Sequence, residues 1–169
     1  MQFAKDSFYM TLRERLSTLN PERHITLNGT DRTAIVVLEN ENIANAEAMP
    51  NAFYLLWGGA QGVDKQGGGS HPLQAIQCAI SYFTSGTCES GVDRGRVLAN
   101  LDTELLSICQ PPESVKRDYT QLPSRDLGTK IFWTAPELGE GEKNGAPYKA
   151  DRILEHTARL TLFFFPELP

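Results

Sequence analysis

Cysteine is scarce in this chain: Cys78, Cys88 and Cys109 are the only three among 169 residues. They are too few and too scattered for a disulfide framework, and no CxxC pair marks a zinc site. Long apolar runs are missing as well. The longest, residues 162–165 with Leu160 just ahead, falls far short of the roughly 20 residues that cross a bilayer as a helix. The opening Met1-Gln2-Phe3-Ala4-Lys5-Asp6 has no apolar stretch of the kind a secretion signal carries. A reducing, cytoplasmic setting with no membrane contact is therefore expected. Basic residues are not in excess either, with 16 Lys and Arg against 21 Asp and Glu and a formal net charge of −5. Such a surface lacks the counterion-releasing charge that drives nucleic-acid binding, so no specific nucleic acid is expected as a partner.

Signatures of chemistry are equally thin. His24, His71 and His156 occur singly, without the HxH or HExxH spacing that brings two metal ligands onto one face. The glycine-rich stretch 58–69 has no GK[ST] and runs into Pro72 and a strand pattern, whereas a phosphate loop needs a helix N-terminus behind it. Neither Ser70-His71 nor Ser85-Gly86 sits in a GxSxG elbow. Cys88 lies near Asp93 and Arg94 but has no histidine close in sequence. The acidic pairs Asp118/Asp126 and Glu140/Glu142 fall in stretches that read as polar loops. No catalytic residue, metal ligand or cofactor is assigned, and the protein is read as a non-enzyme.

What is present is a pattern of alternating elements. A chain of 169 residues suits one domain and buries roughly 70% of the surface its unfolded form exposes. Phe8, Leu12, Leu16 and Leu19 make one helical stripe, with Asp6 or Ser7 as its cap and Asn20-Pro21 as its stop. Asn28-Gly29 between β-prone stretches signals a two-residue hairpin. The run 34–38 reads as a strand covered on both faces, and 53–57 as a second apolar strand. In 73–83, Ile76, Cys78, Ile80 and Tyr82 alternate with Gln77 and Ser81, as in a strand with one buried face. A second amphipathic helix spans about 92–109, with Val97, Leu98, Leu101, Leu105 and Ile108 on its stripe. Residues 113–128 read as irregular, 130–134 as a short strand and 135–149 as a surface loop. The closing strand buries Ala158, Leu160, Leu162 and Phe164. The predicted fold is α+β: a mostly antiparallel sheet with two amphipathic helices packed on one face.

This order of elements resembles the tail terminator and tail-completion proteins of long-tailed bacteriophages and the related minor tail proteins of prophages. Helix 8–19, the Asn28-Gly29 hairpin, strand 34–38, the strand pair 53–83, helix 97–108 and strand 158–165 carry the likeness across most of the chain. The extra segment 113–149 and the glycine loop depart from it. The resemblance implies a homo-oligomer, commonly a hexameric ring, that caps a tail tube, contacts other tail or head-completion proteins and ends in a virion assembled in a bacterial host. It brings no catalytic residues with it. The segments expected to meet partners are the loops at about 58–71 (Gly58, Gly59, Gln61, Asp64, Lys65, Gly68, His71) and 135–149 (Glu140, Glu142, Lys143). Flexible connections of this kind can order when a partner arrives. The rival readings are a ligand- or phosphate-binding enzyme that uses the 58–70 loop, and a monomeric adaptor that adds a peptide to a sheet edge.

Overall fold

The computed structural model describes residues 1–27, 29–40, 49–63, 72–84, 92–140 and 154–167. Ala4, Phe8, Leu12 and Leu16, four residues apart, form the buried stripe of helix α1 (Gln2–Leu19). The helix starts before its expected cap. Asp6 lies within it, and Ser7 is buried, its Oγ donating to Phe3 O and accepting from Arg117 N. Leu19, expected on the stripe, is exposed: steps of four from Ala4 reach Leu16, and Leu19 falls off that line. Asn20 closes the helix as expected.

The strands are β1 (His24–Leu27), β2 (Thr30–Thr33), β3 (Ile35–Val37), β4 (Phe53–Gly62), β5 (Gln74–Thr84), β6 (Glu113–Asp118), β7 (Arg125–Trp133), β8 (Glu137–Glu140) and β9 (Leu154–Phe164). Helix α2 (Asp93–Ile108) lies between β5 and β6, and Leu38–Asn40 is a short 3₁₀ turn rather than a continuation of its strand. Strands β1 and β2 form a separate hairpin with Leu27 opposite Thr30. Gly29 there has φ +75°, the left-handed backbone that the Asn-Gly signal anticipates.

The main sheet runs β3-β4-β5-β9-β7-β6, and only β3 against β4 is parallel. β5 and β9 pair over eleven residues each and form its centre. The other edge of β9 is shared, its C-terminal half by β7 and its N-terminal half by β8. Thr134 bridges that break, donating its N–H to Thr161 O while its Oγ1 accepts from Thr161 N.

Both helices pack on one face, and the sheet curls around α1. Phe8 stands edge-on to Trp57 of β4 and to Trp133 of β7, with ring centroids 5.7 and 5.0 Å away. Leu98, Leu101, Leu105 and Ile108 of α2 join the same core, as do the inward residues of β5 and β9. A smaller cluster occupies the other face at one end, where Ile25 and Leu27 of the hairpin cover Val36 and Tyr54. Neighbouring residues of β3 and β4 thus enter different cores, which is why 34–38 reads as a continuous apolar run.

Three stretches depart from the sequence reading. Residues 58–62 continue β4. A bulge places Gly58 and Gly59 opposite Gln77 alone, and the ladder resumes at Ala60 with Ile76, so pairing along the length of β5 overrides the weak strand propensity of glycine. Residues 113–128 contain β6 and the start of β7. The buried positions of β6 carry Lys116 and Asp118, so no apolar alternation marks it. Residues 137–140 form β8 against β9 despite Pro136 just before it and Gly139 within it, again because a long strand supplies the partner. The free edge of β6 is closed by α1 through Ser7 on Arg117 N, Thr11 on Ser114 (2.7 Å) and Arg15 on Glu113 O (3.0 Å).

Candidate functional site

The described ends of the two segments expected to meet partners lie in the sheet. Gly58, Gly59 and Gln61 belong to β4, and Glu140 ends β8 opposite His156. Asp64, Lys65, Gly68, His71, Glu142 and Lys143 lie outside the described residues. β4 and β8 flank the central pair β5–β9 on either side. Gly58 and Glu137, one from each segment, line a single open groove of about 330 Å³ on the face turned away from the helices.

Strand register accounts for the lining. Leu56 pairs with Ala79, Ala79 with Arg159 and Arg159 with Glu137, forming one outward row; Gln77 and Thr161 form the next. Their neighbours Trp57, Cys78 and Leu160 point into the core, so alternation sends the groove residues outward. The floor is made of small residues, Gly58 and Ala79, and Leu56 at its side is 51% exposed. Further along the same face Phe132 and Phe163 stack at 5.8 Å, and Phe132 stays exposed. Among the described residues no helix covers this part of the sheet.

A second exposed apolar group sits on a rigid support. Between β6 and β7, the buried Asp118 carboxylate accepts from Thr120 N (2.9 Å), Thr120 Oγ1 (2.6 Å) and Gln121 Nε2 (2.9 Å). These bonds, led by the Thr120 hydroxyl, hold its pKa below the usual carboxylate range. The turn they fix carries Leu122, which is 99% exposed. Asp118 and Asp126, read as solvated loop carboxylates, are strand residues with structural bonds; Asp126 Oδ1 accepts from Gly128 N.

Polar groups converge in one further place. Tyr82 Oη donates to Asp102 Oδ1 at 2.6 Å, and His156 Nδ1 lies 2.9 Å from the same oxygen. Burial, together with the carboxylate, raises the Tyr82 hydroxyl pKa well above its usual range. The trio ties α2 to β5 and β9. His156 is thus a strand residue rather than a loop residue, and His24 likewise begins β1. Nothing local announces this meeting, because Asp102 and His156 are 54 positions apart. The thiols are poor nucleophiles: burial raises the Cys78 pKa steeply and pushes Cys109 up to about 12. Both are buried, Cys78 on the strand face where the alternation places it, and Cys88 lies outside the described residues. Among the described residues no group of three or more His, Cys, Asp or Glu could hold a metal ion, and no helix is long and apolar enough to cross a membrane.

The described surface thus carries, among other hollows, a groove on the sheet face away from the helices, near a stacked aromatic pair, and a projecting leucine. No protein-family model matches the chain, and no curated protein matches it either.

Proposed function

We propose that the protein is a non-enzymatic assembly component of a phage or prophage tail, of the terminator or completion type, that works as a homo-oligomeric ring and docks on other tail or head-completion proteins. One observation carries this reading: the sheet face opposite the helices bears a groove that no other described residue fills, with Leu56 at its side and the stacked Phe132–Phe163 pair further along. A groove with exposed apolar groups beside it and polar groups along it suits a docking site. The order of helices and strands adds support, because it follows the order that carries the resemblance to tail-completion proteins.

Light scattering across a concentration series tests the proposal. A mass that settles at an integral multiple of the protomer, six for a closed hexameric ring, is the expected result. A monomer at every concentration, with no ring seen by negative-stain microscopy, would overturn it.

A further inference from the structure

Several basic side chains have partners within the fold. Lys5 pairs with Glu39, Arg23 with Glu104, Lys116 with Glu167 and Lys130 with Glu113, while Arg15 donates to three backbone carbonyls. Arg13 and Arg117 are different. Both are partly buried, and neither guanidinium makes an ion pair or hydrogen bond among the described residues. Acids outnumber bases in this chain, so the shortage of partners here is local. The two arginines line one hollow of about 480 Å³ together with Met10, Glu14, Tyr119 and Ser124. That volume falls within the roughly 300–1,000 Å³ of small-molecule sites.

The lining follows from how α1 meets the sheet. The helix docks on the edge of β6 through Ser7, Thr11 and Arg15. Met10, Arg13 and Glu14, three and four residues apart, form the adjoining row. On β6, Lys116 and Asp118 are buried, and alternation turns Arg117 away from them. Tyr119 follows that strand and Ser124 precedes β7, at the two ends of the turn that Asp118 holds. Burial raises the Tyr119 hydroxyl pKa, so the phenol stays a proton donor; nearby Arg117 opposes the rise, and Glu14 and Asp6 add to it. Of these two carboxylates, Asp6 accepts from Gln2 and Glu14 is exposed. Two guanidiniums and two hydroxyls thus face one exposed carboxylate across the hollow.

We infer that this hollow binds the phosphate group of a small molecule, gripped by Arg13 and Arg117 and capped by the Tyr119 and Ser124 hydroxyls. Guanidinium forks match phosphate oxygens, and donors arriving from α1, β6 and the start of β7 suit a tetrahedral anion better than a planar carboxylate. The site shares no residue with the open-face groove and stands whether or not the protein assembles.

Titrating the full chain with inorganic phosphate at constant ionic strength, followed by amide NMR, tests the site. Saturable shifts centred on residues 10–14 and 117–124 are expected. Arg13→Gln and Arg117→Gln should each weaken binding about tenfold, as the loss of one charged hydrogen-bonding group does. Their thermal unfolding should stay near wild type, because neither guanidinium holds another described residue. Glu14→Gln should tighten binding by removing the carboxylate that opposes the anion. Shifts that never saturate, or that persist unchanged in both arginine variants, mean an adventitious ion only and overturn the site. Weaker binding in Glu14→Gln would contradict its geometry, and equal affinity for acetate would overturn the phosphate assignment. Should one arginine variant fail to fold, the other and Glu14→Gln decide the question.

Discussion

Leu55 and Leu56 are sequence neighbours of identical chemistry, yet one is fully buried and the other half exposed. Leu55 faces α1 and α2, where Phe8 closes between two tryptophans. Leu56 faces the side whose far end is covered by the β1–β2 hairpin, with Leu38 and Met49 beside it. On the helix side apolar residues explain themselves by packing. On the open side Leu56 stays half exposed and Phe132 is exposed while it stacks on Phe163, so their burial within the described residues is far less complete.

The sharpest way to break this contrast is to remove the keystone of the covered face. Phe8→Ala should destabilise the protein by about 3–5 kcal/mol, from the lost transfer energy, the cavity and two edge-to-face ring contacts. Urea unfolding measures this directly. A loss below about 1 kcal/mol would mean that the curl of the sheet does not depend on α1.

The polar joint of the same face should matter next. Asp102→Ala leaves the buried Tyr82 hydroxyl without its acceptor, at a cost of about 1–3 kcal/mol. Tyr82→Phe removes the donor instead, and Asp102 keeps His156 as a neighbour, so the effect should be smaller. The reverse ranking in urea midpoints would show that the ring contacts of Tyr82 hold α2, rather than the hydrogen bond.

How much of this was legible in the sequence follows from the nature of each partner. The stripes of both helices and the inward sides of β5 and β9 were readable because their partners are apolar, and burial leaves a periodic trace. β6 was not, because Lys116 and Asp118 occupy its inward positions and are satisfied by ionic and polar bonds. Lys116 reaches Phe165 O and Glu167, some fifty residues away. The glycines at 58–62 hid a strand whose register comes from β5, and β8 exists only because β9 is there to pair with. The groove needs four strands in register, so of its lining only Gly58 was singled out in the sequence, with Glu137 inside the 135–149 loop, while Leu56, Ala79 and Arg159 read as ordinary strand residues. The Tyr82–Asp102–His156 trio is invisible for the same reason.

A milder effect should appear with pH at the turn that presents Leu122. The Asp118 carboxyl has a lowered pKa in the folded state, chiefly through the Thr120 hydroxyl, so its ionised form contributes stability above the ordinary carboxylate range. That contribution is lost as pH falls through about 4 and below, toward the folded-state value. Urea midpoints between pH 6 and 3 should therefore decline, and Asp118→Asn should flatten this acid limb. Equal slopes in the two proteins would mean that the turn is held by its backbone alone.

The smallest change in monomer stability is expected where the change in behaviour should be largest. Leu56→Ser removes an apolar side chain that is already half in water, so unfolding should shift by no more than about 0.5 kcal/mol. The same substitution strips the groove of its wall, and self-association should weaken even though the fold is untouched. This separates the two faces cleanly, since Phe8→Ala acts on unfolding whether or not the protein assembles. If Leu56→Ser instead cost as much as a core truncation, the open face would be part of the monomer's own packing, and its apolar residues would need no partner to account for them.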